Sequence, residues 1–314
     1  EPAPGKTYKA AIIKLTDHPS LDEIAQAIEQ QLDKLAADNG ITIQHTTTSG
    51  QGDETTLKQL ADQAIADQVD VIIPVATAAA KISALAAEDT KTPVVFAAVS
   101  YPDEESVALT GIDYVTGTSD ALNTRFIIDM MLAHNPDLKK VGLLYSKSEG
   151  SSTKPIQEAK DYLTSLNIAF EEKTGTNTNE ISSAVDALAA AKVDAVFTPT
   201  DNTVMSAELA IFEKLQDANI PHYGGADSFA LNGAFCGYGV DYVQLGQETA
   251  QMVAGLLVDG ADPASTPVRI MTGETAVIIT ETCAAIGMDL DQVKSDFSGL
   301  GITVVETTTQ QEFS

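Results

Sequence analysis

The 314-residue sequence lacks tryptophan, and it carries two cysteines and 18 lysines and arginines against 45 aspartates and glutamates, a formal net charge of −27. So acidic a chain does not fit the nucleic-acid-binding class, because those proteins contact phosphates through basic patches. Two cysteines are too few for a disulfide framework, and their spacing matches no CxxC metal site. Cys236 and Cys283 fit either one bridge or two small buried side chains.

The motifs of common catalytic and cofactor sites are also missing from the sequence. It contains no GxSxG elbow, no GxxxxGK[ST] phosphate loop, no HExxH pattern and no GxGxxG after the first strand. We therefore expect a protein that is not an enzyme and that has no cofactor and no metal. No apolar run approaches the ~18 residues of a membrane span. The polar start Glu1–Lys6 has no methionine and no apolar signal core, which we interpret as a mature chain whose leader has been removed.

Short apolar runs alternate with stretches of helical periodicity along the chain. Tyr8–Leu15 is typical of a buried strand, and Leu21–Ala37 repeats its apolar residues at helical spacing. Val69–Val75 is a further buried strand, and the order restarts as strand then helix from Val141 onward. Alternating strands and helices predict the α/β class, with parallel sheets covered by helices on both faces.

Three blocks of the first half match three blocks of the second half in the same order. They start at Val69 and Val193, at Ala11 and Gly142, and at Pro93 and Pro221, with offsets of 124, 131 and 128 residues. The sequence thus predicts two similar Rossmann-like lobes joined by a three-crossing hinge, with a ligand cleft between them. We expect the crossings near Gly117–Ser119, Asp241 and Met271–Thr275. The expected N-terminal lobe is 1–117 plus 243–270, and the C-terminal lobe is 118–242 plus 271–314.

Ligands of parallel α/β sheets bind beyond the carboxyl ends of the strands, where loops lead into helix N-termini that attract anions. Hydroxyls and carboxylates on these loops suit a small zwitterion, whose ammonium would bind Asp201, Asp227 or Asp241. The candidate ligand-binding residues are Pro19, Ser20, Thr77, Ala78, Ala79, Ser100, Ser148, Glu149, Asp201, Asn202, Asp227 and Asp241.

Each candidate also has a purely structural interpretation. Ser20, Thr77, Ser152 and Asn202 precede helical stretches, so N-capping alone explains their residue types. Asp227 and Asp241 fit ordinary solvated carboxylates. Four aromatic residues could equally lie in the core, at the rim of the cleft or in stacking contact with a ligand: Phe96, Tyr101, Tyr145 and Phe229.

At these loops the sequence resembles the bacterial ABC-transporter substrate-binding proteins of the tryptophan/tyrosine class, which have the type I periplasmic-binding-protein fold. The matching stretches run in family order over nearly the whole chain. They are DHPSLDEI from Asp17, VATAAA from Val75, TGTSD from Thr116, LLYSKSEGSS from Leu143, PTDNTV from Pro199, GADSF from Gly225 and GVDYVQLGQETA from Gly239.

This resemblance implies an extracytoplasmic, lipid-anchored, monomeric receptor that closes around a free amino acid, often an aromatic one, and delivers it to an ABC permease in the membrane. It places the ligand carboxylate on the loops around Ser20 and Thr77–Ala79, with Ser148. It places the ammonium on Asp201 and Asn202, assisted by Asp227 or Asp241. Ala78 departs from the family pattern, in which proline is usual at this position.

Other functions of the same fold stay open at this point. One alternative is a receptor for a sugar or a nucleoside. Sugar sites in this fold usually have more aromatic platforms and clusters of asparagine, arginine and aspartate, whereas tryptophan is absent here and the only arginines are Arg125 and Arg269. A sensory domain would be favoured by a fused signalling segment. A transcription regulator would need an N-terminal helix-turn-helix and a basic face, which the charge of −27 opposes.

Overall fold

The computed structural model describes residues 5–272 and 275–309, in which strands and helices alternate along most of the chain. The strands are β1 (Thr7–Lys14), β2 (Thr42–Ser49), β3 (Val71–Val75), β4 (Val94–Phe96), β5 (Val115–Ser119), β6 (Lys140–Tyr145), β7 (Ala169–Thr174), β8 (Ala195–Thr198), β9 (His222–Gly224), β10 (Cys236–Gly239), β11 (Arg269–Ile270), β12 (Thr275–Ile279) and β13 (Thr303–Thr307). The helices are α1 (Pro19–Asp38), α2 (Glu54–Ala66), α3 (Thr77–Ala86), α4 (Thr124–His134), α5 (Gly150–Ser165), α6 (Thr178–Ala190), α7 (Asn202–Asp217), α8 (Asp227–Leu231), α9 (Tyr242–Leu257), α10 (Thr280–Ala285) and α11 (Leu290–Ser298).

The first of two compact units comprises the described chain up to Ala121 together with Asp241–Met271. Its sheet has the strand order β11-β5-β4-β3-β1-β2, and every pairing in it is parallel. The central strand β3 (VIIPV) is buried along its whole length, as expected for a parallel strand with helices on both faces.

The second unit comprises Leu122–Val240 and the described chain from Thr272 onward. Its sheet has the order β13-β12-β10-β9-β8-β6-β7. The pairings are parallel except that of β10 with β12, which is antiparallel. The expectation of purely parallel sheets is corrected at this one pair, because the chain returns into the sheet beside β10 after an excursion through the first unit.

The two units repeat one topology, as the matching sequence blocks predict. Read from one edge, the first five strands of the first unit lie in the order β2-β1-β3-β4-β5, and those of the second unit lie in the order β7-β6-β8-β9-β10. In each unit the strand order reverses beside the first strand, which is where ligands bind in doubly wound sheets. The loops after β1 and β3, and after β6 and β8, are therefore where this topology favours ligand binding.

The sequence-based prediction lacked β5, α4, α8 and β10. The expected crossing at Met271–Thr275 includes Gly273 and Glu274, which lie outside the described residues, as do the first four residues of the polar start Glu1–Lys6. Cys236 and Cys283 are both buried and unbridged, so the interpretation as small hydrophobic side chains fits. Burial raises the pKa of both thiols.

Helix α9 packs against α1 in the first unit more extensively than any other helix pair among the described residues. Gly246 makes this approach possible, because a Cβ there would lie 2.7 Å from the Ala27 Cβ and 2.7 Å from the Ile24 carbonyl oxygen. Any side chain at this position must push the two helices apart.

We expect Gly246→Ala to lower the free energy of unfolding by about 2 kcal/mol, the usual cost of overpacking a core contact. Gly255→Ala is the matched control on the same helix, since a Cβ there meets nothing within 4 Å. It should raise the free energy of unfolding by about 0.5 kcal/mol, because alanine is the better helix former. Denaturant unfolding measures both, and equal stabilities would contradict the close-packing argument.

Candidate functional site

In the first unit, the loops after β1 and β3 feed two helices that have no side-chain cap. Helix α1 begins at Pro19, after His18 at the N-cap, and Ser20 is buried in its first turn. Helix α3 begins at Thr77, after Ala76 at the N-cap. Ala76 has φ +79° and ψ 159°, a region that is essentially reserved for glycine and that costs about 1–3 kcal/mol, as is common at binding sites.

The first turn of α3 presents backbone N–H groups where an anion would be stabilised. The N–H groups of Thr77, Ala78 and Ala79 lie in the first turn and so have no intrahelical partner, and no side chain caps them. Ala78 retains an N–H that proline at this position would lack. The departure from the family pattern therefore leaves the helix start intact and adds one donor.

Ser100, also a candidate, is part of a buried cluster in the same unit. Its hydroxyl donates to Oδ1 of Asp120 at 2.8 Å, and the hydroxyl of Tyr242 donates to Oδ2 at 3.1 Å. The hydroxyl of Ser119 donates to the Ser100 carbonyl at 2.9 Å. Burial raises the pKa of Asp120. The cluster joins residues at the ends of β4 and β5 to the start of α9.

In the second unit, Asp201 is buried and its carboxylate accepts hydrogen bonds from three donors of its own unit. Oδ2 accepts the backbone N–H of Ser146 at 2.7 Å and the hydroxyl of Ser152 at 2.7 Å. Oδ1 accepts the N–H of Val204 at 2.9 Å, so that Asp201 caps α7. Burial raises the pKa of Asp201, and these donors oppose that rise. The carboxylate ties the loop after β6 to the loop after β8.

Glu149 is the half-buried carboxylate beside it. Its Oε2 accepts from Nδ2 of Asn202 and its Oε1 accepts from the hydroxyl of Thr203, both at 3.2 Å. Within the described residues no lysine or arginine forms an ion pair with Glu149 or Asp201. Burial, and then the negative charge of Asp201, raise the pKa of Glu149 to about 7. In the described part of the second unit, the two carboxylates Glu149 and Asp201 therefore have neutral hydrogen-bond donors as partners and no ion pair with a basic side chain.

The remaining candidates are placed less centrally. Ser148 is exposed and its hydroxyl shares a 2.7 Å hydrogen bond with that of Ser146. Asp227 is the half-buried first residue of α8. Asp241 is exposed and caps α9 by accepting the N–H of Gln244 at 2.9 Å. It lies in the first unit rather than in the C-terminal lobe to which the sequence assigned it.

The N-capping interpretation of four hydroxyl and amide candidates is wrong. Their helices start one to three residues earlier than the sequence pattern indicated, so none of these side chains occupies an N-cap. The four residues are Ser20, Thr77, Ser152 and Asn202. The side-chain caps of α7 and α9 are supplied instead by two other candidates, Asp201 and Asp241.

Residues 9–292 match the family of ABC transporter substrate binding proteins. The chain belongs to this family. Members are extracytoplasmic binding components of ABC importers rather than enzymes, and their protein partner is an ABC permease. No helix among the described residues combines the length and apolar character needed to cross a bilayer. Likewise, residues 5–272 and 275–309 contain no group of histidine, cysteine or acidic side chains arranged for a metal ion.

Several individual proteins are similar to this substrate-binding protein. A tyrosine-binding protein of Clostridioides difficile is 26% identical over 93% of this chain and 84% of its own length. The crystal structure of an ABC domain from Streptococcus pneumoniae in complex with L-Trp is 28% identical, covers 96% of this chain and 100% of that one, and has a TM-score of 0.84. A ligand-free, open substrate-binding protein with adhesive properties from Clostridium difficile is 25% identical, covers 96% of this chain and 100% of that one, and has a TM-score of 0.70. A sugar transporter subunit from Rhodobacter sphaeroides, 16% identical, shares the fold, which is the type I periplasmic-binding-protein fold.

Sequence reasoning missed several residues of this substrate-binding protein that the geometry brings to the candidate loops. Asp120, Tyr242 and Thr203 were assigned no role, although each lies in a stretch that carries the family resemblance. The position of Asp120 directly after the end of β5 could have indicated a functional role for its carboxylate. Among the aromatic candidates, Phe96 and Phe229 are fully buried and pack as core residues.

Proposed function

We propose that this protein binds a free aromatic amino acid for an ABC importer. The relatives support the ligand class, since one is a tyrosine-binding protein and another is a complex with L-Trp. The observation that carries the proposal is Glu149, a half-buried carboxylate that accepts from neutral donors and forms no ion pair with a lysine or arginine among the described residues. The ammonium of an amino acid supplies the missing positive charge.

The first unit takes the ligand carboxylate in this proposal. Helix α3 has the uncapped N–H groups of Thr77, Ala78 and Ala79, and the helix dipole favours negative charge there. Ser20 in the first turn of α1 and Ser148 in the second unit are proposed as additional contacts. The two compact units are then the two lobes, and ligand contacts to both lobes favour a closed state.

The ammonium is assigned to Glu149 and Asn202, while Asp201 positions the two loops that hold them. This revises the proposed role of Asp201, because its two oxygens are already used by Ser146, Ser152 and Val204. Asp227 remains a candidate for assisting this end. Asp241 is a weaker candidate, since its carboxylate is exposed and caps α9.

A thermal-shift screen with isothermal titration tests the proposal. The probes are the twenty amino acids, common sugars and nucleosides, each offered to the purified chain. A ligand that binds only the folded state raises the melting temperature. We expect a rise with tryptophan, tyrosine or phenylalanine. A rise with a sugar or a nucleoside, and none with any amino acid, would keep the fold and refute the function.

Ligand binding is expected to release a proton near neutral pH. The ammonium favours the ionised form of Glu149 and so lowers its pKa from about 7. Affinity should therefore fall by about tenfold for each pH unit below 7. Titration calorimetry at pH 6.5, in two buffers of different ionisation enthalpy, counts the released protons. Identical heats in both buffers would show that Glu149 does not change its charge.

In the ligand-free protein, the raised pKa of Glu149 makes the free energy of unfolding depend on pH. Glu149 has a reference pKa of 4.5 and a pKa of about 7 in the folded state. Between these values the folded state holds a proton that the unfolded state has lost. The contribution of Glu149 to the free energy of unfolding is therefore largest below pH 4.5 and is lost as the pH rises through 7.

We also propose that the protein is a monomer with a lipid anchor on the outer face of the cell membrane. Both properties come from the resemblance in the sequence. Light scattering of the purified chain tests the first. Detection of a lipid-modified N-terminus in the cellular protein tests the second.

A further inference from the structure

Three buried polar side chains of the second unit form a connected chain of hydrogen bonds. The His222 imidazole lies with Nδ1 3.0 Å from Oε1 of Glu208 and with Nε2 2.8 Å from the hydroxyl of Thr198. Each of the three residues is at most 2% exposed. A histidine at the start of β9 thus joins the last residue of β8 to the second turn of α7.

Stability does not account for this arrangement. Burying an ionisable pair costs desolvation, and an apolar pair of the same volume is often neutral or more stable. The second oxygen of the carboxylate, Oε2 of Glu208, is buried and has no hydrogen-bond partner among the described residues, which adds to the cost. A group that is expensive to bury is expected to have another role.

The position of the network indicates that role. Thr198 directly precedes the loop 199–201, and Glu208 lies on the helix whose first residues, Asn202 and Thr203, hold Glu149. The network therefore ties the strand that precedes this loop to the helix that follows it. The ring of Phe229, in α8 after Asp227, also meets the imidazole edge-on, with ring centroids 5.7 Å apart and planes at 74°.

We propose that Glu208 and His222 are positioning residues for the ligand site, which hold the start of α7 in register with the end of β8. The inference rests on the proposed function, because the residues it positions are those that we assign to the ammonium. A rigid support is needed there, since a charged hydrogen bond loses strength when its donors shift by about an ångström.

The test separates affinity from stability. In the double variant His222→Leu/Glu208→Leu an apolar pair replaces the ionisable pair. We expect its melting temperature to equal or exceed that of the wild type, while the Kd for the amino acid found in the screen rises at least tenfold. Glu208→Gln retains an oxygen to accept from Nδ1 and should keep the Kd within about twofold. A double variant that loses neither affinity nor order at the loop overturns the proposal.

Amide hydrogen exchange of the ligand-free protein gives a second readout that needs no ligand. Exchange in the peptide covering 199–204 should be faster in the double variant and unchanged in Glu213→Gln, a control at an exposed position on the same helix. If the wild type binds no amino acid, the proposed function fails and the exchange result alone decides this inference. Exchange that rises throughout the second unit would indicate a structural role only.

Thr198→Val keeps the test decisive if the double variant does not fold. Valine preserves the shape and the strand preference of threonine but removes the hydroxyl that contacts Nε2 of His222. We expect a Kd about three- to tenfold higher, with faster exchange confined to 199–204. A wild-type Kd with wild-type exchange would overturn the proposal.

Discussion

Asp201→Ala is expected to lower the free energy of unfolding by about 4 kcal/mol, so that lost binding would be a consequence of lost structure. The substitution leaves three buried donors without an acceptor: the N–H groups of Ser146 and Val204 and the hydroxyl of Ser152. Each orphaned buried donor costs about 1–3 kcal/mol. Sequence reasoning placed Asp201 in direct contact with the ligand ammonium, and these internal hydrogen bonds change that expectation. Denaturant unfolding followed by circular dichroism measures the effect.

Asp241→Ala is the matched control for Asp201→Ala. Asp241 also caps a helix, but it is exposed and its carboxylate accepts one backbone N–H, that of Gln244, in the described structure. Its removal should cost about 1 kcal/mol, as expected for a lost N-cap. If Asp201→Ala instead melts like the wild type and loses only affinity, the carboxylate contacts the ligand and the positioning role is refuted.

Glu149→Gln is expected to weaken amino-acid binding by about a hundredfold. Truncating one partner of a buried, hydrogen-bonded charge pair typically costs 2–5 kcal/mol, and about 1.4 kcal/mol corresponds to tenfold. The ligand-free variant should be more stable than the wild type at pH 8, because the amide removes a half-buried charge that forms no ion pair with a lysine or arginine among the described residues. Affinity and stability are therefore expected to move in opposite directions.

The control for Glu149→Gln is Glu171→Gln in the same unit. Glu171 forms an ion pair with Lys173 at 2.6 Å, and this salt bridge lies at the surface. Exposed pairs contribute at most about 1 kcal/mol, and we expect no change in Kd. Titrations of both variants between pH 5 and 8 complete the comparison. A Glu149→Gln protein that binds tightly, or that still releases a proton on binding, would assign the ammonium elsewhere.

The repeated topology could be predicted from the sequence because its strands are apolar and its blocks recur in order. The blocks from Val69 and Val193 contain β3 and β8, which occupy equivalent places in the two sheets. Strand β10 could not be found this way, since its sequence CGYG has a weak strand preference. Its place in the sheet comes from its pairing with β9 and β12. Helix α4 was missed although its buried residues Thr124, Ile127, Ile128 and Met131 follow helical spacing.

The candidate site could likewise be predicted only in part from the sequence. The loops after the first strands of each repeat were predictable, because strand order and residue type both indicate them. The role of Asp201 was not, since a strand-end aspartate before a helix fits a cap, a ligand contact or a brace equally well. The donors that distinguish these roles come from Ser146 and Ser152, 55 and 49 residues away. Contacts across such separations follow from the folded register rather than from local sequence.

The packing of α9 on α1 has a consequence for how the chain is made. Helix α1 ends at Asp38 and its partner α9 ends at Leu257, so more than two hundred residues must be translated between them. At bacterial elongation rates this interval lasts on the order of ten seconds or more. During that time the emerging first unit lacks the helix that covers Ile24 and Ala27. The nascent protein therefore exposes an apolar surface until α9 has been translated. We expect chaperones that hold unfolded chains to bind this surface during that interval.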